Sequence, residues 1–174
     1  MNNFLEYMTL EQVIGVMASA FIVGGYFCKS DNKAKAIIIC GSVLFAIHFF
    51  MIGAITAALM NVVNFFRVGL SIKFHGSKIL FTFFVSVYLI SLFFTYEEWL
   101  NILPVISSVL GCVGMYFLSG IKFRLCTIVG SSCWLLHNAL VGSVGGVITE
   151  IFVLTAALTI IYRLWLDQKK AEVK

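Results

Sequence analysis

The chain has 174 residues, of which 61% are hydrophobic and only 11% are charged, and its mean hydropathy is +1.03. A soluble globular domain carries far more polar surface than this, so the composition excludes that class of protein. At about 20 residues per crossing, roughly seven transmembrane helices account for the whole length, and residues 1–174 are predicted to form one all-α integral membrane domain.

Charged or turn-forming clusters divide the chain into seven predicted helices. The residues before the first helix include no Lys or Arg, so this helix is expected to be a retained crossing and not a signal peptide. In chain order the predicted helices span residues 10–28, 36–52, 55–72, 78–95, 101–118, 125–141 and 146–165.

All twelve Lys and Arg residues fall on one side of this arrangement, after or around the ends of the first, third, fifth and seventh helices. Cytoplasmic loops carry the excess of Lys and Arg, so we expect the N-terminus outside and the C-terminus in the cytoplasm. This topology explains the net charge of +4 without an anionic partner, and no nucleic acid is expected to bind. Arg67 is assigned to the charged side, where its side chain is expected to snorkel toward the surface.

Two segments are similar without a gap at an offset of 89 positions: KAIIICGSVLFAIHFFMIG at 35–53 and RLCTIVGSSCWLLHNALVG at 124–142. The aligned Gly, His and Lys or Arg positions predict an internal duplication, with residues 10–72 as the first three-helix repeat and 101–165 as the second. An unpaired helix at 78–95 restores the direction of the second copy. The prediction is a 3+1+3 parallel repeat, an architecture of transporters with a solute site between the copies.

The stretches HFFMIG, LPVI at 103–106 and CWLLHNALVGSVGGVITE closely resemble the YgjV-type bacterial inner-membrane proteins. The 3+1+3 plan is similar to that of the SWEET and PQ-loop group, which includes sugar carriers and the PnuC vitamin transporters. This resemblance implies a multi-pass protein of the bacterial inner membrane that carries a small polar solute. It also implies a pocket role for Asn61, because SWEET carriers place an asparagine on the third helix of each repeat, and position 150 of this chain matches it with Glu150.

Four polar residues are predicted at similar depth on two helical hairpins. His48 and Asn61 are equidistant from the turn between the second and third helices, and His137 and Glu150 are equidistant from the turn between the sixth and seventh. At 1.5 Å per residue they lie about 10 Å below these turns. Such groups inside a membrane face a partner or a wet cavity, so we predict that all four line one central cavity. The alternative is that His137 and Glu150 satisfy each other.

Other residues are candidates for the same site. Trp134 lies on the face of His137 and suits a flat or ring-shaped solute, with Phe45 as its counterpart in the first repeat, although both equally suit helix packing. Asn64 lies one turn from Asn61, and Asn138 follows His137 in the chain. The hinge candidate is Pro104, which is predicted to kink the fifth helix.

The leading functional hypothesis is a facilitative or proton-coupled carrier with no enzymatic activity, no cofactor and no metal. Its expected partners are the lipid bilayer and an unknown small polar solute, and a homo-oligomer is possible. One alternative is a haem-binding redox protein that uses the two histidines. Another is an intramembrane hydrolase that uses Ser132 or Cys133 with His137. The five cysteines are expected to be small buried apolar residues.

Overall fold

The computed structural model describes residues 9–26, 31–71, 74, 76–118 and 120–172. These form seven α-helices and no strand. Cys28, Lys29, Lys73 and Lys174, on which parts of the sequence analysis depend, lie outside the described residues. The helices are α1 (Leu10–Tyr26), α2 (Asp31–Met51), α3 (Ile55–Ser71), α4 (Lys78–Thr95), α5 (Ile102–Phe117), α6 (Gly120–Leu140) and α7 (Val144–Glu172).

The helix boundaries match the predicted ones closely at the turns, but not at the charged ends. Helices α2 and α6 each begin five residues before their predicted start, and α7 continues seven residues past its predicted end. Lys, Arg and Glu are good helix formers, so a run of charges ends the apolar segment without ending the helix. Within the described ranges, two segments are both long enough and apolar enough to cross a membrane, Lys78–Thr95 and Val144–Leu166, and the other apolar helices are shorter.

Helices close in sequence pack side by side, and their contacts place six helices in a closed order. The order is α1, α2, α3, α5, α6, α7 and back to α1. The remaining helix, α4, packs against α3 and α5. Its outer face is strongly apolar, with Phe93 and Phe94 about as exposed as any aromatic side chain in the described residues. In a membrane protein this face contacts lipid.

The α2–α3 and α6–α7 turns have the same local geometry. Gly53 and Gly142 adopt left-handed backbone angles, with φ of 78° and 74°. Around each, the residue after the glycine donates a backbone hydrogen bond of 2.8 Å to a carbonyl five positions earlier, which is the Schellman pattern that ends a helix. Glycine is favoured because an added Cβ strains this conformation.

Pro104 lies in the first turn of α5, directly after a short 3₁₀ turn over Trp99–Asn101. The first N–H groups of an α-helix have no partner within the helix, so a proline here removes no regular α-helical hydrogen bond. The predicted kink inside the fifth helix is therefore wrong: Pro104 marks where the α-helix begins. Its role as a hinge stays a prediction.

The cysteines differ in their surroundings. Cys112 is buried, as expected, whereas Cys126 and Cys133 are half-buried. Cys40 is exposed on the outside of the helix bundle, so the expectation of burial is wrong for this residue. A free cysteine behaves as a small apolar residue, and a lipid-facing position satisfies it as well as a protein core does.

Candidate functional site

A cavity of about 330 Å³ lies between the six helices of the closed order. This volume is at the lower end of the range of small-molecule sites. Among the described residues, α4 contributes nothing to its lining. The lining combines an apolar wall with hydroxyl and amide groups, and six predicted site residues belong to it: Phe45, Asn61, Asn64, Trp134, Asn138 and Glu150.

One wall of the cavity carries a chain of hydrogen bonds between α2 and α3. The Asn64 side-chain amide donates to the Ser42 hydroxyl at 2.9 Å, and the Asn64 carbonyl oxygen accepts from Arg67 Nη2 at 2.6 Å. Asn61, one turn away, donates to the Ala57 carbonyl of its own helix at 3.0 Å. This donor is therefore occupied within the helix, while the carbonyl oxygen of Asn61 forms no hydrogen bond among the described residues.

Glu150 lies on α7, 89 positions after Asn61. The Ser131 hydroxyl on α6 interacts with its carboxyl group. Ser131 lies 89 positions after Ser42, the serine that accepts from Asn64. His137 and Glu150 form no ion pair or hydrogen bond in the described part of the chain, so the alternative in which they satisfy each other is wrong.

His48 does not line this cavity. Its side chain is fully buried and both ring nitrogens are occupied: Nδ1 lies 2.6 Å from the Glu11 carbonyl oxygen and Nε2 lies 2.8 Å from the Ser143 hydroxyl. A carbonyl can only accept, so Nδ1 donates and Nε2 accepts the Ser143 proton. The prediction that His48 lines the central cavity is therefore wrong, because α1 and the α6–α7 turn hold it in a structural role.

The same arrangement argues against the haem alternative. An axial histidine needs a free ring nitrogen for iron, and the hydrogen bonds to Glu11 and Ser143 use both nitrogens of His48. His48 and His137 therefore do not provide a pair of haem ligands in this fold.

His137 also lies outside the central cavity, so the predicted ring of four polar groups is wrong for both histidines. It lines a second cavity of about 410 Å³ beside the α2–α3 turn, together with Thr56, Glu97, Glu98 and Asn101. The His137 side chain is only 3% exposed, and its Nδ1 has no hydrogen-bond partner among the described residues.

The proposed hydrolytic pairs do not form either. Ser132 is exposed on the outside of the bundle, and neither Ser132 nor Cys133 makes a hydrogen bond to His137 among the described residues. A nucleophile requires a base within hydrogen-bond reach, and this contact is missing for both proposed pairs.

Aromatic rings separate the two cavities. Phe49 stacks on Phe45 and on Trp134, with ring centroids 5.7 Å apart in both pairs. Trp134 and Phe49 also meet the His137 ring edge-on, at 5.6 Å and 6.0 Å. Phe45 and Trp134 therefore serve packing between α2 and α6 while also lining the central cavity.

Asn138 closes another part of the wall. It is buried, its carbonyl oxygen Oδ1 has no hydrogen-bond partner among the described residues, and its amide packs directly against Gly146. A Cβ added to Gly146 would overlap the Asn138 side chain, so this glycine allows α6 and α7 to approach closely.

Arg67 also lines the cavity and was not among the predicted site residues. The expectation of snorkelling is wrong, since its guanidinium reaches back to Asn64, one turn toward the middle of α3, and contacts Cys112 Sγ at 3.9 Å on α5. The signal was present in the sequence: Asn61, Asn64 and Arg67 follow at intervals of three and share one helix face.

The fold and the cavity define a multi-pass helical membrane protein with a polar chamber inside the bundle. The sequence profile of a family described as a bacterial inner membrane protein, Imp-YgjV, matches residues 9–168. The chain therefore belongs to the YgjV family and is a protein of the bacterial inner membrane. It is 26% identical over 162 residues to the inner membrane protein YgjV of Escherichia coli (strain K12), covering 92% of this chain and 87% of that protein. No solved structure matches the chain significantly.

Proposed function

We propose that the protein is a small-solute carrier and not an enzyme, and that the central cavity binds the solute during alternating access. The observation that carries this proposal is the cavity of about 330 Å³ inside the bundle of an inner membrane protein. Its volume and mixed lining suit a small polar molecule such as a sugar or a vitamin.

The lining supports a 3+1+3 repeat. Most lining residues fall into pairs separated by 89 positions, one in each proposed three-helix unit, so the cavity lies on the proposed twofold axis. The pairs are Ile22–Gly111, Ile38–Thr127, Ser42–Ser131, Phe45–Trp134, Phe49–Asn138, Met60–Thr149, Asn61–Glu150 and Asn64–Val153.

The helix order and the turns support the same repeat. With α1–α3 as one unit and α5–α7 as the other, the contact of α1 with α7 corresponds to the contact of α5 with α3. The Schellman bond from Ala54 to Phe49 likewise corresponds to that from Ser143 to Asn138. This is the plan implied by the resemblance to the SWEET and PQ-loop group, and α4 is the inverting linker in it.

The orientation follows from the charges. With the N-terminus outside, the α2–α3 and α6–α7 turns lie at the outer surface, and the Lys- and Arg-rich ends lie in the cytoplasm. The outer end is then held closed by several hydrogen bonds. Gln12 on α1 donates to Gly142 O at 2.8 Å and accepts from Val144 N at 3.2 Å, while His48 bridges Glu11 and Ser143.

These bonds suggest the transport cycle. They link the start of α1 in the first unit to the α6–α7 turn of the second, so outward opening requires that they separate as the two units rock. Asn61 and Glu150 occupy equivalent positions on opposite units, and each offers a hydrogen-bond acceptor to a bound solute. The side chain of Trp134 supplies an aromatic surface against which a ring stacks.

The test is uptake into proteoliposomes. Purified protein is reconstituted and exposed to a mixture of bacterial metabolites, and mass spectrometry measures which compounds enter the vesicles beyond the amount in protein-free vesicles. We expect one compound class to accumulate, and we expect Asn61→Ala and Glu150→Gln to reduce its entry. The matched control is Thr155→Ala, on the exposed face of α7, which leaves uptake unchanged.

Two results contradict the carrier function. One is the absence of any protein-dependent uptake from reconstituted protein that is folded and correctly inserted. The other is an uptake rate that is unchanged in Asn61→Ala, in Glu150→Gln and in the control variant, which would show that transport does not use this cavity.

A further inference from the structure

Arg67 is an arginine without an acidic partner inside the helix bundle. It lines the central cavity, yet it forms no ion pair with any carboxylate among the described residues. Its observed partners are neutral: Asn64 Oδ1 at 2.6 Å and the Cys112 sulfur at 3.9 Å. Its Nε is buried and has no hydrogen-bond partner in the described part of the chain.

The groups near this guanidinium offer little compensation. The hydroxyl groups of Tyr88 and Tyr116 are buried nearby without hydrogen-bond partners, and neither carries a negative charge as a neutral phenol. Glu150 lines the same cavity but makes no ion pair with Arg67. A guanidinium has five N–H donors, and two contacts with neutral atoms leave most of them unused.

An uncompensated charge within a membrane is costly, and such residues mark solute or ion pathways. Removing the cost requires an anion, and a guanidinium pairs with carboxylate or phosphate oxygens through two parallel N–H donors. The neighbouring cavity has room for a small solute, and hydroxyl groups of Ser107 and Ser108 on α5 line it beside Gly111.

The fold makes room for the guanidinium at Gly111. A Cβ added to this glycine would lie 3.3 Å from Arg67 Nη1 and 3.8 Å from Nη2. Any larger residue on this face of α5 would press on the charged end of Arg67. The glycine therefore allows the guanidinium to lie close against α5 within the cavity wall.

We propose that the transported solute carries an oxyanion, a carboxylate or a phosphate, which binds to Arg67 in the central cavity. The proposal rests on the carrier function and names its substrate class. The oxyanion occupies the unused N–H donors of Arg67, and the rest of the solute extends along the hydroxyl-lined wall toward Asn61 and Glu150.

The experiment measures anion-dependent thermal stability of the purified full chain in a neutral detergent. Sodium phosphate and sodium acetate are the two probes, and sodium chloride at equal ionic strength is the reference. We expect a saturable rise in Tm with at least one probe, since a ligand that binds the folded state stabilises it. Phosphate alone would identify a phosphorylated solute, and acetate alone a carboxylate.

Variants assign the effect to Arg67. Arg67→Gln is expected to weaken the response about tenfold or more, because it removes charge-assisted hydrogen bonds. Arg67→Lys retains the charge but lacks the two parallel N–H donors of the guanidinium, and it is expected to recover part of the response. Arg163→Gln, on the exposed face of α7, is the matched control and should respond as the unmodified protein does.

If Arg67→Gln does not fold, Gly111→Ala gives the answer without removing the charge. The added methyl crowds Nη1 and should raise the anion concentration needed for half of the Tm shift. An unmodified protein with no anion-specific shift overturns the proposal. So does an equal response in Arg67→Gln, or an unchanged response in Gly111→Ala when Arg67→Gln cannot be purified.

Failure of the oxyanion site is distinguishable from failure of the carrier function. Protein-dependent uptake of neutral compounds without any anion-specific shift would contradict the oxyanion site and leave the carrier intact. An anion-specific shift that needs Arg67, in a protein that transports nothing, would contradict the carrier and leave a binding site.

Discussion

His48 Nε2 and the Ser143 hydroxyl lie 2.8 Å apart and join residues separated by 95 positions in the chain. The Ser143 oxygen also accepts from the Gly146 backbone N–H at 3.2 Å, as an N-cap of α7 does. A continuous set of hydrogen bonds therefore runs from the start of α1 through His48 to the start of α7. It fixes three helices at one end of the bundle.

Replacing His48 tests this structural role. His48→Leu is expected to lower the stability by about 1–3 kcal/mol, because the Glu11 carbonyl and Ser143 lose a buried partner. Thermal unfolding in detergent measures the change. His137→Leu is the matched control, and its effect should be smaller because its Nδ1 has no partner to lose among the described residues. Equal losses in the two variants would contradict the assignment.

Gly145 on α7 packs directly against the backbone of α1. A Cβ at this position would overlap the backbone of Gly15, which cannot move aside as a side chain can. Gly145→Ala is therefore expected to force the two helices apart and to lower the Tm substantially. Gly24→Ala is the control, because an added Cβ there meets no atom within 4 Å, and alanine favours a helix by up to about 1 kcal/mol. A Gly145→Ala protein as stable as Gly24→Ala would refute the close approach.

Gln12 is expected to hold the outer end closed. Gln12→Ala removes both of its bonds to the α6–α7 turn and should raise access to the cavity from outside. The measurement is labelling of Cys126, which lines the cavity, by a membrane-impermeant maleimide added to spheroplasts. All other cysteines are replaced in this experiment. We expect faster labelling than in the parent protein.

Asn101 provides a second test of this end of the bundle. It occupies the position 89 residues after Gln12, and its amide donates to Thr56 Oγ1 at 2.9 Å and to Thr95 O at 2.6 Å. Asn101→Ala should increase the labelling of Cys126 as Gln12→Ala does, whereas Thr159→Ala on the exposed side of α7 should not. Unchanged labelling in both Gln12→Ala and Asn101→Ala would contradict an outer gate.

The orientation has a direct test with reporters at the C-terminus. A fluorescent protein that folds only in the cytoplasm should be bright after residue 174, and alkaline phosphatase at the same place should be inactive. The reason is the concentration of Lys and Arg at the ends assigned to the cytoplasm. High phosphatase activity would show the opposite topology, in which the end held by Gln12 lies on the cytoplasmic side.

The sequence by itself determined the number of helices, the turns after the second and sixth helices, and the family. These depend on local properties: long apolar runs, glycines that accept left-handed angles and charge at helix ends. Only the tertiary structure decided which polar groups share a chamber. Two residues at equal depth on different helices need not point into the same cavity. Successive residues are rotated by about 100° around the helix axis, and packing against neighbouring helices decides which face of a helix meets the cavity. His48 therefore lies outside the cavity, because it bonds to α1 and the α6–α7 turn, whereas Arg67 lines the cavity and packs against Gly111.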